Sequence, residues 1–335
     1  MKKYLLTALA VVGIISCSKV ETVGPQPDPA ITFGDSFVEV KTRAAADPQI
    51  TTTSIDAFYA WAYVNEQEAM VLNKETVTKD AAKGWTYKNI QYWLPSSTYY
   101  FGAIAPVGDD KGITVNTAEA NKYGLGTVSF VNNDGSVDLI YAAEEVKTAA
   151  DVVNNDPGKV ELQFSHLLSK VKFTFTNGFV TDNAKITVKN IKMEVPKSGT
   201  LNLAQEDWWS TNAWTVTSDK LILDFGDVNG GNKLEATKGD ECANVRFTIP
   251  DDDTRLYTIT FDVALYLGTY ETPAYQVTRT VELTKQEFKI GKSYNFKTTI
   301  GPENIHPDGP LRPIVFDVEV KPWEEAAANE LPLKK

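Results

Sequence analysis

Alternation of apolar and polar residues is the clearest pattern in this chain of 335 residues. The segments VELQF and KVKFTFT place an apolar side chain at every second position, and polar residues lie between them. A period of two is typical of a β-strand with one buried and one solvent-facing side, as in antiparallel sheets. The apolar positions are Val160, Leu162, Phe164, Val171, Phe173 and Phe175; the polar ones are Glu161, Gln163, Lys172 and Thr174.

Short segments of strand character fill nearly all of the chain after residue 30. FVEV, IDAFYAWAYV, WTYKNIQYW and TYYFGAIA are rich in the aromatic and β-branched residues that favour strands. LYTITFDVALYL and AYQVTRTVEL have the pattern of a strand pair joined through GTYETP. The one segment with a helical composition is AAEEVKTAADVV, near 142–153. Regularly spaced short strands predict an all-β protein built from β-sandwiches.

The segment NNDPGK at 154–159 is the best internal boundary. Asn, Asp, Pro and Gly cluster there, and the clean alternation begins just after it. The length of the chain suits two domains of roughly 150 residues each. We therefore predict two tandem antiparallel β-sandwich domains, at 31–158 and 159–303.

The last predicted strand is set apart from the others. The segment GPENIHPDGPLRP precedes it, and its Pro and Gly content favours irregular structure. We therefore interpret 304–335 as a hinge followed by a strand that could leave its own domain, and we expect the monomer to fold without it. The side chains predicted to share one face of this strand are Ile314, Phe316, Val318 and Val320, with Val315, Asp317 and Glu319 on the other.

The N-terminus has the pattern of a lipoprotein signal. A basic start precedes an apolar run at about 5–15, which is too short to span a bilayer and indicates a secretory signal. The run ends in IISC, which resembles a bacterial lipobox with Cys17 as the acylated residue. We predict a signal peptide at 1–16 and a lipidated flexible spacer at 17–30; an ordinary signal with a chance cysteine is the alternative. Ser18 resembles the sorting pattern for the outer membrane.

Composition argues against several classes of function. The formal net charge is −11, so nucleic-acid binding, which needs clustered cations, is not expected. His166 and His306 have no second His or Cys at ligand spacing, so we predict no metal site and no cofactor. The sequence has no GxSxG, P-loop or GxGxxG motif and no carboxylate in a recognisable catalytic setting. We therefore expect no catalytic residues and no enzyme activity.

Three features have both a structural and a functional interpretation. Trp208, Trp209 and Trp214 are candidate glycan contacts, because tryptophan stacks on sugar rings, but packing of a loop over a sandwich is favoured. The acidic turns VGDDKG, NNDGS and PDDDT could bind calcium, yet they do not match the EF-hand pattern and are ordinary turn sequences. His166 is predicted to be structural at a strand end, and Cys242 to be a small buried or half-buried residue.

The order of motifs resembles a known family. Cys17, ITFGDSFVEVKTRAA, YWLPSSTYYFGAIAP, DLIYA, LQFSHLLSKVKFTF and IVFDVEVKPWEE follow one another as in the fimbrillin family, the type V pilins and pilin-like lipoproteins of Bacteroidales-type bacteria. The likeness runs from residue 1 to about 325. It implies two transthyretin-like β-sandwiches and export as an outer-membrane lipoprotein that joins a fimbrium at the cell surface.

The resemblance also implies a mode of assembly. An Arg-specific surface protease cuts after an Arg that follows the first strand, and Arg43 fits that position, which would leave Ala44 as the new N-terminus. Loss of the first strand opens a hydrophobic groove, and the C-terminal strand of another subunit fills it. We therefore expect a pilus subunit, at a stalk position, with other pilin subunits, the outer membrane and the protease as partners. Tip and accessory positions stay open, and the alternative is a glycan-binding or adhesive surface lipoprotein, with a host or bacterial ligand, that does not polymerise.

Overall fold

The computed structural model describes residues 28–34, 37–38, 50, 54–121, 124–180, 183–206, 208–209, 213–252, 254–305 and 312–323. Within these ranges the protein is all-β, as predicted from the alternation. The helical segments described are the 3₁₀ turns Asn65–Gln67, Asp109–Lys111 and Asn229–Gly231 and the short helix α1 (Pro302–Ile305). None of the described helices is long and apolar enough to cross a membrane. The predicted signal peptide, Cys17, Arg43 and Ala44 lie outside the described residues.

The described strands are numbered in chain order. The first eleven are β1 (Thr32–Phe33), β2 (Phe37–Val38), β3 (Ala57–Val64), β4 (Ala69–Asp80), β5 (Gly84–Thr86), β6 (Thr98–Ala105), β7 (Ile113–Asn116), β8 (Thr127–Val131), β9 (Ile140–Lys147), β10 (Lys159–Val160) and β11 (Gln163–His166). The others are β12 (Ser169–Asn177), β13 (Ala184–Pro196), β14 (Ser198–Asn202), β15 (Trp214–Val216), β16 (Lys220–Gly226), β17 (Gly239–Glu241), β18 (Arg246–Thr248), β19 (Tyr257–Leu267), β20 (Tyr275–Leu283), β21 (Lys292–Ile300) and β22 (Asp317–Pro322).

A large sheet with two apolar faces dominates the N-terminal part. Its described strands have the order β2-β11-β9-β6-β3-β4-β5, and β1 pairs beside it with β10. Along β3, Phe58 and Ala60 belong to the core that also contains β1 and β10, whereas Trp61 belongs to a second core on the other face. This alternation lets one sheet be covered on both sides. The sheet includes β11, so the N-terminal pairing extends past residue 158.

The C-terminal part is a sandwich of two sheets, which we call the C-terminal sandwich. One sheet has the order β17-β12-β21-β22, with β18 also on β12, and the other has the order β16-β13-β19-β20, as far as the chain is described. Val171, Phe173 and Phe175 of β12 all point into its core, as the alternation predicted. The predicted pairing of LYTITFDVALYL with AYQVTRTVEL is confirmed as the antiparallel pair β19–β20.

A third arrangement connects the two parts, and we call it the joining sheet. Its described strands have the order β15-β14-β8-β7, so two come from before NNDPGK and two from after it. Strand β8 pairs with β14 at five consecutive positions. Its apolar side packs with the second face of the large sheet, with Leu167 and Leu168, and with Phe247 and Ile249 of the C-terminal part. The division into tandem domains at 158/159 stays a prediction.

The helix predicted near 142–153 is wrong, because β9 extends to Lys147 and the residues that follow it, up to 153, form bends and turns. Ile140, Tyr141 and Ala142 are buried, and β9 lies between β6 and β11 in the large sheet. Sheet pairing on both sides outweighs the local helical preference of the Ala- and Glu-rich segment, since propensity is a weak prior where tertiary contacts are available.

Candidate functional site at the two ends of the described chain

The last described segment, residues 312–323, lies against its own C-terminal sandwich. Its strand β22 pairs antiparallel with β21 and is the outermost strand of its sheet. On its other side, β21 pairs in parallel with β12 along eight positions, so β21 is held whether or not β22 is present. The C-terminal strand therefore covers a sheet edge and is not needed to connect other strands.

Burial along the predicted apolar face of this segment decreases from Ile314 to Val320. Ile314 and Phe316 are 5% and 8% exposed and belong to the core of the C-terminal sandwich. Val318 is partly buried against that core, whereas Val320 is 50% exposed. Val315 is 72% exposed, in agreement with the outward direction predicted for it. The predicted apolar face is thus buried at its first two positions and open to solvent at its last.

Phe316 is the main anchor of the segment. Its ring makes edge-to-face contacts with centroid distances of 5.7–6.2 Å. The four partner rings belong to Phe173, Phe175, Phe261 and Phe296. They lie on β12, β19 and β21, so Phe316 joins both sheets of the sandwich. The expectation that the monomer folds without this segment therefore needs revision, because removing Phe316 would open a cavity in the core.

Backbone contacts also tie the segment to the predicted hinge region. The amide of Arg312 donates a hydrogen bond to the carbonyl of Glu303 at 2.8 Å. The hydroxyl of Thr298 donates to the carbonyl of Val315, also at 2.8 Å. Ile305 of α1 is fully buried. The residues on either side of 306–311 are thus attached to the C-terminal sandwich.

The outer side of β22 carries a small charge network. The carboxylate of Glu319 lies 2.7 Å from the ammonium of Lys297 on β21 and 3.1 Å from that of Lys321. Hydrogen bonds from Lys297 and then Lys321 hold the pKa of Glu319 below its ordinary value. This network is exposed, so its contribution to strand pairing is small.

The described chain ends at a buried tryptophan that alternation did not predict. The ring of Trp323 stacks on that of His166, with centroids 4.2 Å apart, and on that of Phe247 at 5.0 Å. Its amide donates to the carbonyl of Gly291 at 2.9 Å. Gly291 has a φ of 63°, a conformation that favours glycine, and this turn presents the carbonyl. Because Trp323 follows Pro322, it lies outside the two-residue period of β22.

His166 is structural, as predicted, although its partners could not be read from the sequence. Its side chain is almost fully buried at the end of β11, and its Nδ1 lies 2.9 Å from Oδ1 of Asp138. The other carboxylate oxygen of Asp138 accepts a hydrogen bond from the amide of Ile50 at 2.7 Å. Residues 50, 138, 166 and 323 are far apart in sequence, and each is on a different segment.

The first described strand, β1, is anchored in the N-terminal core by an Ile and a Phe, as the last segment is anchored in the C-terminal sandwich. Ile31 and Phe33 are buried, and Thr32 between them is exposed. The Phe33 ring lies edge-on to Phe58 at 5.5 Å and to Tyr87 at 5.9 Å. Strand β1 pairs in parallel with β10 at two positions, and β2 pairs in parallel with β11 at two positions. Side-chain burial is therefore a large part of what attaches this end.

The predicted tryptophan cluster does not form one exposed aromatic face. Trp214 is buried, and its indole nitrogen donates to the carbonyl of Leu167 at 3.1 Å. Trp208 is half-buried and packs edge-on to Tyr141 with centroids 5.3 Å apart, and Trp209 packs edge-on to Trp208 at 5.8 Å. A platform for sugar rings needs open faces in one plane, so this arrangement favours packing.

The remaining candidate for chemistry is the thiol of Cys242. Burial raises its pKa to about 11, and it lies 3.3 Å from the amide nitrogen of Phe173 and 3.1 Å from the carbonyl of Asn244. A buried thiol with a raised pKa is a poor nucleophile. In the part of the chain that the structure describes, no three His, Cys, Asp or Glu side chains are grouped closely enough to hold a metal ion.

Comparisons with known proteins agree with this architecture. The family model described as fimbrillin-like matches residues 42–323. The crystal structure of a fimbrial protein from Bacteroides vulgatus ATCC 8482 has a TM-score of 0.63 at 16% identity, covering 88% of this chain and 99% of that one. The crystal structure of a candidate cell adhesion protein from Bacteroides ovatus ATCC 8483 has a TM-score of 0.50 at 14% identity, covering 89% and 99%. At these identities the two structures share the fold with this chain. No curated protein sequence gives a significant match.

Proposed function

The chain belongs to the fimbrillin-like family, and from that premise we propose that it is a structural subunit of a pilus that polymerises by strand exchange. An Arg-specific protease cuts after Arg43 and removes the first strand. The C-terminal strand of a second copy then takes the vacated place. Acylation of Cys17 anchors the precursor at the outer membrane. Because the chain carries a donor strand of its own, the stalk is its natural position in the filament.

One observation carries this proposal: the segment before Arg43, which includes β1 and β2, and the segment that ends with β22 share two sequence elements in the same order. The first has ITF at 31–33 and VEVK at 38–41, and the last has IVF at 314–316 and VEVK at 318–321. In both tripeptides the Ile and Phe are buried and the middle residue is exposed. A donor that repeats the Ile and Phe of the tripeptide suits the pockets of Ile31 and Phe33, because alternate side chains give strand addition its specificity. The VEVK elements follow at different distances, after four residues in the first segment and one in the last.

Cleavage after Arg43 would leave an acceptor site in the N-terminal part. Loss of Phe33 removes a ring from the core beside Phe58 and Tyr87. Loss of β2, the outermost strand of the large sheet, leaves one edge of β11 without a strand partner. Exposed apolar side chains and unpaired backbone groups are what an added strand repairs. Because donor and acceptor lie at different places on the subunit, the contact does not close and builds a filament.

The exchange restores side-chain burial in the acceptor core but empties the donor's own core. Ile31 and Phe33 leave one core, and Ile314 and Phe316 of a neighbour enter it. Each such side chain contributes about 1.5–3 kcal/mol of gross burial energy. The donor pair, however, is already buried in its own sandwich before exchange. The direction of the exchange therefore depends on how strongly the last strand is bound in the C-terminal sandwich of its own subunit.

The test is cleavage of the purified precursor with an Arg-specific protease, with SDS-resistant ladders on gels as the readout. Arg43→Lys keeps the charge but removes the cleavage site for such a protease. Arg312→Lys is the matched control, because Arg312 is exposed and a cut there would remove the donor strand instead.

We expect ladders from the wild-type protein and from Arg312→Lys, with Ala44 at the N-terminus of the polymerised subunits. Arg43→Lys should stay monomeric after the same treatment. Equal ladders from Arg43→Lys, or polymer subunits that still begin at Cys17, would refute activation at this site.

A further inference from the structure

A buried contact holds the end of the last strand at the place where the chain passes from the large sheet to the C-terminal sandwich. Strand β11 ends at His166 and β12 begins at Ser169, so the two sheets are separated there by two residues. Trp323 packs on this crossing through its stack on His166, with the two ring planes only 3° from parallel. Its indole Nε1 has no hydrogen-bond acceptor among the described residues. Ring stacking and the Trp323 amide bond to Gly291 are therefore the main local contacts.

A second contact connects His166, through Asp138, with Ile50, which follows Arg43 in the sequence. Asp138 is fully buried and uses one carboxylate oxygen for His166 and the other for the amide of Ile50. A buried carboxylate depends on its hydrogen bonds, because an unsatisfied one keeps its desolvation cost. Ile50, Asp138, His166 and Trp323 thus form three contacts in series that connect a residue shortly after Arg43 with the last described residue.

We propose that Asp138, His166 and Trp323 form a latch that holds the last strand in its own subunit. We further propose that the uncut chain from β1 to Ile50 keeps this latch closed. The latch itself is a property of the uncleaved monomer; its role in releasing a donor strand rests on the function proposed above. Loss of the first strand weakens the latch, so donor and acceptor become available in the same cleaved subunit.

The coupling follows from what lies on either side of the latch. Strand β11, which ends at His166, has β2 on one edge and β9 on the other. The chain between β2 and Ile50 is therefore held at both of its ends, and Arg43 lies between them. A cut at Arg43 separates Ile50 from β2, and departure of β2 leaves β11 with β9 alone. A single cut at Arg43 therefore loosens both Ile50, which donates to Asp138, and β11, which carries His166.

Coupling between two sites is reciprocal, and this supplies a test that a local structural role would not pass. Hydrogen–deuterium exchange of the uncleaved full chain reports the Trp323 amide, which donates to Gly291, and the Ile50 amide, which donates to Asp138. Asp138→Asn should speed exchange at Trp323 roughly tenfold, as expected for loss of a hydrogen bond to a charged group. Trp323→Ala should speed exchange at Ile50 in the same sense.

Val320→Ala is the matched control, because it shortens a half-exposed side chain on the same strand that is not part of the latch. It should leave exchange at Ile50 unchanged. Trp323→Phe keeps a ring on His166 and should give a smaller change at Ile50 than Trp323→Ala. It serves as a variant that disturbs the packing less, in case Trp323→Ala unfolds the protein. Unchanged exchange at Trp323 in Asp138→Asn, or at Ile50 in Trp323→Ala, would overturn the latch. The measurement needs no polymer, so a failure of strand exchange would not alter its outcome.

Discussion

The two ends of the described chain bury the same pair of side chains in two different cores, yet they are attached in different ways. At 31–33 an Ile and a Phe are buried, and the strands β1 and β2 each pair over two positions in parallel. At 314–316 an Ile and a Phe are buried as well, but β22 follows with six antiparallel pairs to β21, and the buried Trp323 comes directly after it. The side-chain contribution is alike, and among the described residues the strand ladder is longer at the C-terminus. The N-terminal segment is also held by backbone hydrogen bonds from Ile31 to Gln91 and from Trp93 to Pro29.

This difference shows which end resists removal. Antiparallel pairing along β22 and the latch must both be broken before the last strand can leave, whereas the described ladders of β1 and β2 have two pairs each. A protease that removed the first strand would act on the end with the shorter described ladders. The last strand, by contrast, needs a second event to release it, and weakening of the latch supplies one.

The largest effect is expected from deleting everything after Arg312. Burial of Ile314, Phe316 and Trp323 is lost together, at about 2–5 kcal/mol for each side chain, against a total stability of roughly 5–15 kcal/mol for a domain. Denaturant unfolding followed by circular dichroism should show a strongly destabilised C-terminal transition, and ladders should be absent. A chain truncated after Trp323 keeps every described contact and is the control. If the chain that ends at Arg312 were as stable as the wild type, the last segment would not be part of the core.

A matched pair of substitutions sharpens the comparison between the ends. Phe33→Ala and Phe316→Ala should each destabilise the precursor by about 3–5 kcal/mol, because both rings are buried among other aromatic residues. After cleavage and assembly only Phe316→Ala should weaken the polymer, since Phe33 has been removed. Heating the ladders in SDS measures this difference.

Thr32→Ala and Val315→Ala change the exposed middle residue of each tripeptide and should have little effect on either state. Polymers weakened equally by Phe33→Ala and Phe316→Ala would mean that the first strand stays in the assembled subunit.

The smallest effect concerns the charge network on β22. The pKa of Glu319 is lowered in the folded protein by hydrogen bonds from Lys297 and Lys321, so its stabilisation is present above the ordinary carboxyl pKa and is lost as the pH falls through the lowered value. Glu319→Gln should lower the unfolding midpoint slightly at neutral pH and have no effect once the pH has fallen below the lowered pKa of Glu319. The difference should also disappear in a Lys297→Gln and Lys321→Gln background; its persistence there would assign the effect to another group.

Period-two alternation predicted some of the strands, because burial of one face leaves a local trace in the sequence, whereas the predicted strand WTYKNIQYW is a strand only as far as Thr86. Val171, Phe173 and Phe175 of β12 and the pair β19–β20 were predictable in this way. The segment 142–153 was not, because its Ala and Glu content is locally helical and only pairing with β6 and β11 makes it a strand. Local composition cannot report which neighbours a segment will find.

The candidate site was predictable only in part for the same reason. Ile314 and Phe316 follow the alternation and are buried, but Val320 follows it too and is half-exposed, because the strand extends past the core that its first residues enter. The latch joins residues whose only relation is spatial. Trp323 was visible as part of the motif V-K-P-W, and nothing in the sequence indicated that it would stack on His166.

The joining sheet has a consequence for how a fibre made of such subunits would respond to pulling and bending. The two parts of the subunit are connected by the covalent chain and, separately, by the five-position ladder between β8 and β14. Flexing at residues 167–168, where the chain crosses from β11 to β12, would have to shear that ladder as a unit, since its hydrogen bonds share the displacement. The subunit therefore behaves as a stiff link, and the compliance of the fibre is concentrated at the contacts between one link and the next.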